Sequence, residues 1–588
     1  YLLITCYLGC AFMILPARRK DKTIPWYDIV AAVLAFGIPL YFFLNAWKIV
    51  NVGWVPPSPL NFTLALILFI LVLEGGRRAA GPIFAAICTI VGLYPVFAGH
   101  MPGVLFGFSY PFTSAIALQV FGSEGILGVP LKVMGDILIG FLVFAGIMIA
   151  SGAGRFFLNL AMALFGRFRG GPAKVAVVSS GFFGSLSGGV IPNIVATGAI
   201  TIPAMKRMGY SPEYVGAIEA CASTGGMIMP PVMGAVAFVM AVLLGVPYAT
   251  IIVAAAIPAI LYYFGLLIQV DAYAARMGLK GLPREELPSL KTTLGQGWPF
   301  LATLVFLIWG LAYMRWPGGT AAFYAAGLMF VLSYCSRENM MTPKKILEAC
   351  VTLGRLVTLT MAILLPVGVI IAGLTVTGTA SAFASGVVML GGGNLYLLLL
   401  LGVIACYVMG MAGLLVPAYI FLAISLAPAV INVGGLDPLA VHLFIVYYSL
   451  LALITPPVAT AAFVGASMAG ASPLRTAVTA MRLAIVIYFV PLFFLFSPAL
   501  ILQGAILDTL YLFVFCLVGI TLIGGGLEGY ALGVGRIPPL ARPLLVLAGL
   551  LIAIPEWRTT IIGAGLAIAV IAIILSTRKR VIAEATSQ

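Results

Sequence analysis

Charge is what this sequence has least of. Asp, Glu, Lys and Arg supply 8% of its 588 residues, where a soluble domain carries about 25%. With 63% hydrophobic residues, no single core could hide so much apolar surface. A soluble globular domain, a disordered chain, a collagen and a nucleic-acid module are excluded together. Histidine is scarcer still: His100 and His442 are the two in the chain. They make no H-E-x-x-H pair, so zinc hydrolase chemistry has no ligand set. The eight cysteines (Cys6, Cys10, Cys88, Cys221, Cys335, Cys350, Cys406 and Cys516) show no C-x-x-C spacing and all lie in apolar segments. They read as small buried hydrophobes rather than a disulfide or metal framework. No G-x-x-x-x-G-K-[ST] occurs, so the chain does not hydrolyse ATP itself. The net charge of +14 sits in short loops between apolar runs and does not point to nucleic acid.

What remains is an all-α polytopic membrane protein, built from spans of roughly 20 apolar residues. Apolar runs fall at about 2–15, 28–45, 62–73, 82–97, 131–151, 213–243, 247–270, 298–313, 320–335, 346–373, 438–470, 478–500, 505–523, 541–554 and 559–577. The sequence starts at Tyr1 rather than a methionine, so preceding residues are expected, and the first run is expected to direct insertion without a cleaved signal. Lysine and arginine orient the chain. If Arg18, Arg19, Lys20 and Lys22 are cytoplasmic, alternation puts nearly all other basic loop residues inside as well, including Arg578, Lys579 and Arg580. Only Lys48, Lys132, Arg315 and Arg558 then fall outside. This requires two stretches, 174–207 and 395–433, to enter and leave on the same side.

Those stretches belong to an internal repeat. Gly188, Pro192 and Pro203 recur in register as Gly413, Pro417 and Pro428. After a one-residue slip, Pro230-Pro231-Val232 recurs as Pro456-Pro457-Val458, and Ala237-Phe238-Val239 as Ala462-Phe463-Val464. The first copy starts from the cytoplasmic side and the second from outside, an inverted-topology repeat of the kind secondary transporters use. Each copy opens with an expected re-entrant hairpin. In the first, 174–186 and 193–205 flank Ser185-Leu186-Ser187-Gly188-Gly189. In the second, 395–409 and 418–433 flank Gly410-Met411-Ala412-Gly413. Each copy then has a span broken by tandem prolines, since proline removes a donor and clashes with the preceding turn. The breaks are Ser223-Thr224-Gly225-Gly226 through Pro230-Pro231, and Thr455-Pro456-Pro457 through Thr460. Irregular backbone at membrane depth is tolerated where protein covers it or a wet cavity lies beside it. Freed carbonyls suit a cation there, and exposed helix N-termini suit an anion.

These residues are recognisable. Gly184-Ser185-Leu186-Ser187-Gly188, Asn193, Thr197-Gly198, Thr201-Ile202-Pro203, Glu219, Ala222-Ser223-Thr224-Gly225-Gly226 and Met229-Pro230-Pro231-Val232-Met233-Gly234 resemble tripartite ATP-independent periplasmic (TRAP) transporters. Ile454-Thr455-Pro456-Pro457-Val458 is similar too, and the pattern looks like the fused small-plus-large membrane subunit of the TAXI subfamily. The resemblance implies a small four-helix region at 1–97 and a large transport region at 98–500, with repeat one about 131–243 and repeat two about 346–470. Residues 501–588 are left as C-terminal accessory helices, read as scaffold. It implies an elevator mechanism in a bacterial cytoplasmic membrane, with the C-terminus cytoplasmic. It implies a TAXI-type extracytoplasmic substrate-binding protein as partner, a small organic anion such as a carboxylate as substrate, and no cofactor beyond a coupling ion, Na+ or H+. The chain departs from the subfamily at Gly189, Val190, Ile191, Pro192 and Ala196, and at Leu414, Leu415 and Val416. Fewer side-chain oxygens stand at those places, and the choice between Na+ and H+ stays open.

The polar candidates for substrate or ion are Ser185, Ser187, Asn193, Thr197, Ser223, Thr224, Ser449, Thr455 and Thr460, with Gly188, Gly189, Gly225, Gly226, Pro230, Pro231, Gly410, Gly413, Pro456 and Pro457 shaping the backbone around them. Each hydroxyl could instead bond only its own helix. Glu219, an ionisable residue within a span, is a possible proton site, the alternative being a carboxylate near the inner headgroups. Asp136 reads as interfacial, Glu74 as an ion pair with Arg77 and Arg78, and His442 as structural or a proton relay. A rival class is an ion-coupled carboxylate transporter that works alone, without a binding protein. An enzyme is not expected.

Overall fold

The computed structural model describes residues 1–17, 24–336, 338–411 and 415–586. The basic cluster Arg18, Arg19, Lys20 and Lys22, and Gly413 at the second tip, lie outside the described residues. In hydrocarbon every backbone donor and acceptor must be satisfied within the protein, and a helix does so within its own segment. Among the described residues, regular structure is helical except for a short ribbon that pairs Tyr530–Ala531 with Gly535–Arg536. Ten of these helices are long and apolar enough to cross a membrane, or eleven if the bent pair Leu415–Ser425 and Ala427–Gly434 is one span. This is a multi-pass membrane protein. Several spans start on the same local device. Ser58, Ser211 and Thr342 each cap a helix N-terminus by accepting from a backbone N–H one turn in, with Pro59, Pro212 and Pro343 at the first helical position.

The elements differ from expectation in places. The stretch 98–130, between two apolar runs, contains the helix Phe112–Phe121. Another helix, Ala153–Phe165, occupies what reads as a basic loop, because its apolar face (Phe156, Phe157, Leu160) is buried while Arg155 points away. The cysteines divide: Cys88, Cys221, Cys406 and Cys516 are buried as expected, whereas Cys6, Cys10, Cys335 and Cys350 are exposed.

The chain forms two interleaved compact units. One comprises Tyr1–Ser151, Ala235–Tyr248 and Val305–Ser449. Its axis is the 34-residue helix Pro343–Val376, along which residues 361–373 are almost entirely buried. Gln119 is buried beside it and donates to the carbonyls of Gly92 (2.9 Å) and Val369 (3.2 Å). Near the N-terminus, Glu74 binds Arg77 (2.6 Å) and Arg78 (2.8 Å), and Arg78 continues to Asp28 (2.6 Å). This network ties the helices Trp26–Leu44 and Pro59–Ala80 together.

The other unit comprises Gly152–Gly234, Ala249–Leu304 and Leu450–Gln588. Its centre is the helix Pro212–Gly226, buried at every residue from Tyr214 onward. Around it pack Gly171–Ser187, Val190–Arg207, Thr460–Ala469 and Pro473–Leu483. One crossing is glycine on glycine. A Cβ added to Gly216 would lie 2.9 Å from the carbonyl carbon of Gly465, so backbone meets backbone there. The unit boundaries fall beside both proline-marked breaks, at Gly234/Ala235 and Ser449/Leu450.

Candidate functional site

The first tip is made by two glycines. Gly188 adopts φ of +60°, a left-handed conformation glycine takes without cost, and its N–H closes the Gly171–Ser187 helix on the Gly184 carbonyl at 3.0 Å. Gly189 then opens the helix Val190–Arg207. On that helix Asn193, Thr197 and Thr201 recur every fourth residue and share one buried face. Asn193 Nδ2 donates across the tip to the Ser180 carbonyl at 2.9 Å. The Ser180 and Thr197 hydroxyls are 2.9 Å apart.

Glu219 enters from the central helix and is fully buried. Its Oε2 accepts from Thr197 (3.1 Å) and Ser180 (3.4 Å), and its Oε1 accepts from Thr201. Among the described residues no Lys, Arg or His forms an ion pair with it. The cage is therefore three hydroxyls. A hydroxyl both donates and accepts, so the same cage satisfies a carboxylate and a protonated carboxyl alike. An amide or guanidinium cage, rich in fixed donors, would not. The seam that holds it is tight: a Cβ on Gly184 would lie 2.7 Å from the Cα of Gly226 and 2.7 Å from Asn193 Nδ2.

Beyond the cage the central helix stops at Gly226 and regular helix resumes at Ala235. The break holds Pro230-Pro231 and closes on itself where Gly234 N–H meets the Met227 carbonyl at 2.8 Å. Tyr262 and Tyr263 donate to the carbonyls of Cys221 (2.8 Å) and Ala222 (2.7 Å) in the last turns before it. Three buried oxygens near the tip and break, Ser187 Oγ, Asn193 Oδ1 and Ser223 Oγ, have no hydrogen-bond partner among the described residues.

The sequence candidates thus divide. Glu219, Thr197 and Asn193 are brought together. Ser185 bonds the Phe182 carbonyl (2.9 Å) and Thr224 the Ala220 carbonyl (2.8 Å), each within its own helix. Thr455 meets the Tyr488 hydroxyl at 2.8 Å, and Thr460 starts the helix Thr460–Ala469. Ser449 is buried near the end of Pro438–Leu450, and Gly410 is buried near the end of Leu395–Met411. His442 Nδ1 sits 2.7 Å from the Tyr419 hydroxyl, tying the helix Leu415–Ser425 to the helix Pro438–Leu450. Two cage members, Ser180 and Thr201, are not among the sequence candidates. The four-residue spacing of Asn193, Thr197 and Thr201 is the signal that reaches Thr201. Ser180 lies on another helix and has no such signal.

Replacing Thr201 with valine keeps its shape and removes a donor to Glu219. It is expected to destabilise the protein by about 1–3 kcal/mol. Thr224→Val, which removes only a bond to its own helix, is expected to cost less than about 1 kcal/mol. Unfolding of the two variants in detergent measures the difference.

The family described as "Tripartite ATP-independent periplasmic transporter, DctM component" matches residues 66–508. The C4-dicarboxylate TRAP transporter large permease protein DctM of Pseudomonas aeruginosa is 28% identical over 56% of this chain and 76% of its own. The isethionate TRAP transporter permease protein DctMQ of Oleidesulfovibrio alaskensis is 24% identical over 71% of this chain and 61% of its own. The sialic acid TRAP transporter permease protein SiaT of Haemophilus influenzae is 24% identical over 36% of this chain and 34% of its own. These relatives are transporter permeases, not enzymes.

Proposed function

Because this chain belongs to the DctM-component family of tripartite ATP-independent periplasmic transporters, we propose that it is the permease for ion-gradient-driven uptake of a small organic anion. The anion is handed over by a TAXI-type extracytoplasmic binding protein, and permeases of this family work with a periplasmic binding protein. Relatives named for C4-dicarboxylates, isethionate and sialic acid share one chemical feature, a carboxylate or sulfonate on a small polar skeleton. That supports the anion class, with a carboxylate as the leading choice.

The mechanism is an elevator in the bacterial cytoplasmic membrane. Gly171–Ser187 and Val190–Arg207 act as a re-entrant hairpin, and 395–411 with 415–434 as its inverted counterpart. The first pair has 17 and 18 residues. Each limb rises about 25–27 Å, short of a hydrocarbon core of about 30 Å. Residues 1–97 are the fused small-subunit region, 98–500 the transport region, and the C-terminus is cytoplasmic.

The observation that carries the reading is the caged Glu219. A carboxyl held by hydroxyls alone, two turns from a helix break, can load and release a proton without rebuilding its surroundings. This favours H+ as the coupling ion. Sodium at the hairpin tip is the second reading, favoured by Ser187 Oγ, Asn193 Oδ1 and Ser223 Oγ, which are unpartnered oxygens of the kind a hard cation takes.

The test is uptake by the purified protein in liposomes, with its binding protein present or omitted, under an imposed proton or sodium gradient. Uptake that needs the binding protein and a proton gradient is the expected result. A sodium requirement moves coupling to the tip oxygens. Uptake without the binding protein overturns the tripartite reading in favour of a carrier that works alone.

A further inference from the structure

The helices Ile506–Glu528, Ala541–Ala553 and Trp557–Thr586 run past the end of the family match at residue 508 and bring no polar motif of their own. Their sequence reads as accessory scaffold. We infer instead that they are part of the moving body that carries the Glu219 cage, and that Glu528 is the positioning residue that fastens them to the helix bearing Glu219.

Glu528 is fully buried. Its Oε1 faces Arg482 Nη2 at 3.2 Å and the Tyr214 hydroxyl at 3.4 Å, and its Oε2 faces Arg276 Nη2 at 3.4 Å. One carboxylate from the C-terminal extension therefore joins three other segments. Arg276 ends the long helix Tyr248–Met277, and Arg482 belongs to Pro473–Leu483. Tyr214 stands in the first turn of the helix that carries Glu219. Its ring stacks on Tyr273 with centroids 3.7 Å apart, and Arg276 lies over Tyr273 at 5.4 Å.

The packing around this hub is close. A Cβ on Gly524 would lie 2.9 Å from Ile268 Cγ2 and 3.3 Å from Gln269 Cγ. Gln269 in turn donates to the Leu483 carbonyl at 2.6 Å. The contiguous segment Leu450–Gln588 lies in one compact unit with Gly152–Gly234. To part from Tyr248–Met277 and Pro473–Leu483, the extension would have to strip a buried carboxylate of both its cations, and a buried charge is retained only while it is paired. Pro473–Leu483 in turn packs on the helix that carries Glu219. The extension travels with the hairpin.

The inference rests on the elevator reading, and two labels separate their failures. With the native cysteines replaced, nitroxides are placed at Ile200→Cys on the hairpin and Leu510→Cys on the extension, both exposed positions. Membrane depth is read in proteoliposomes with and without a gradient, substrate and binding protein. Equal depth changes in the same direction at both sites are expected. A hairpin label that moves while the extension label stays still overturns this inference alone. Two static labels overturn the elevator reading and this inference with it.

The role of Glu528 is read in the same assay. Glu528→Gln is expected to cut the extension label's depth change by at least half while the hairpin label keeps its own, and Glu528→Asp is expected to restore it. Unchanged, matched movement in Glu528→Gln overturns Glu528 as the fastening. If that variant does not fold, the wild-type label pair still decides whether the extension moves.

Discussion

Glu219→Gln is expected to abolish accumulation driven by a proton gradient while leaving exchange of substrate for substrate intact. The size follows from the gradient. Two pH units supply about 2.7 kcal/mol per proton carried, or about 100-fold in accumulation. A permease that cannot carry the proton loses that factor, yet it still crosses the membrane with substrate bound on both legs, which is all that exchange requires. Glutamine suits the test because it is nearly isosteric. Its amide accepts from the Thr201 or Thr197 hydroxyl and donates to another of the three, so the cage stays satisfied and stability is expected to change by no more than about 1 kcal/mol. Glu219→Ala is the contrast, since it leaves a cavity and three buried hydroxyls without their acceptor. Accumulation by Glu219→Gln at the wild-type level under a proton gradient would remove Glu219 from the coupling step. The tip oxygens of Ser187, Asn193 and Ser223 would then come forward.

How far the sequence reached depends on what each feature is made of. The membrane class follows from scarce charge, a property of the whole chain that no tertiary detail can reverse. The first hairpin's helices were placed within three residues at each end, because glycine and proline punctuate locally. The break reads from the sequence as Ser223 through Pro231, which sets it too early at both ends: the helix runs on to Gly226, and regular helix restarts only at Ala235. Glu219 was visible because a carboxylate inside an apolar run is costly wherever it ends up. Its partners were visible only in part. Thr197 and Thr201 share a helical face with Asn193, but Ser180 reaches them from another helix, and a serine in an apolar helix reads as satisfied by its own backbone. Glu528 stayed hidden for the same reason: its two arginines come from distant stretches of chain. Contacts between segments, unlike punctuation, leave no mark on either segment alone.

The seam behind the cage gives the second large expected effect. Gly226→Ala puts a methyl group 2.6 Å from the Cα of Gly184 and 3.0 Å from its carbonyl carbon. Both are main-chain atoms, so neither can rotate aside, and the two helices can only separate. Overpacking of this kind costs about 1–3 kcal/mol. The separation acts directly on the cage, because Ser180 reaches Glu219 across the same two helices, and Glu219 depends on Ser180 and Thr197 together. Uptake is therefore expected to fall to background even where the variant is still folded at the assay temperature. Gly295→Ala is the control. It also lies inside a helix, Leu290–Ala312, but nothing stands within 4 Å of its added methyl group. There the loss of a flexible residue is expected to leave uptake unchanged and to stabilise by about 0.5–1 kcal/mol. Uptake and thermal unfolding of the pair separate a general intolerance of bulk from the specific demand of the seam. Wild-type uptake by Gly226→Ala would show that the cage does not need its two helices in backbone contact.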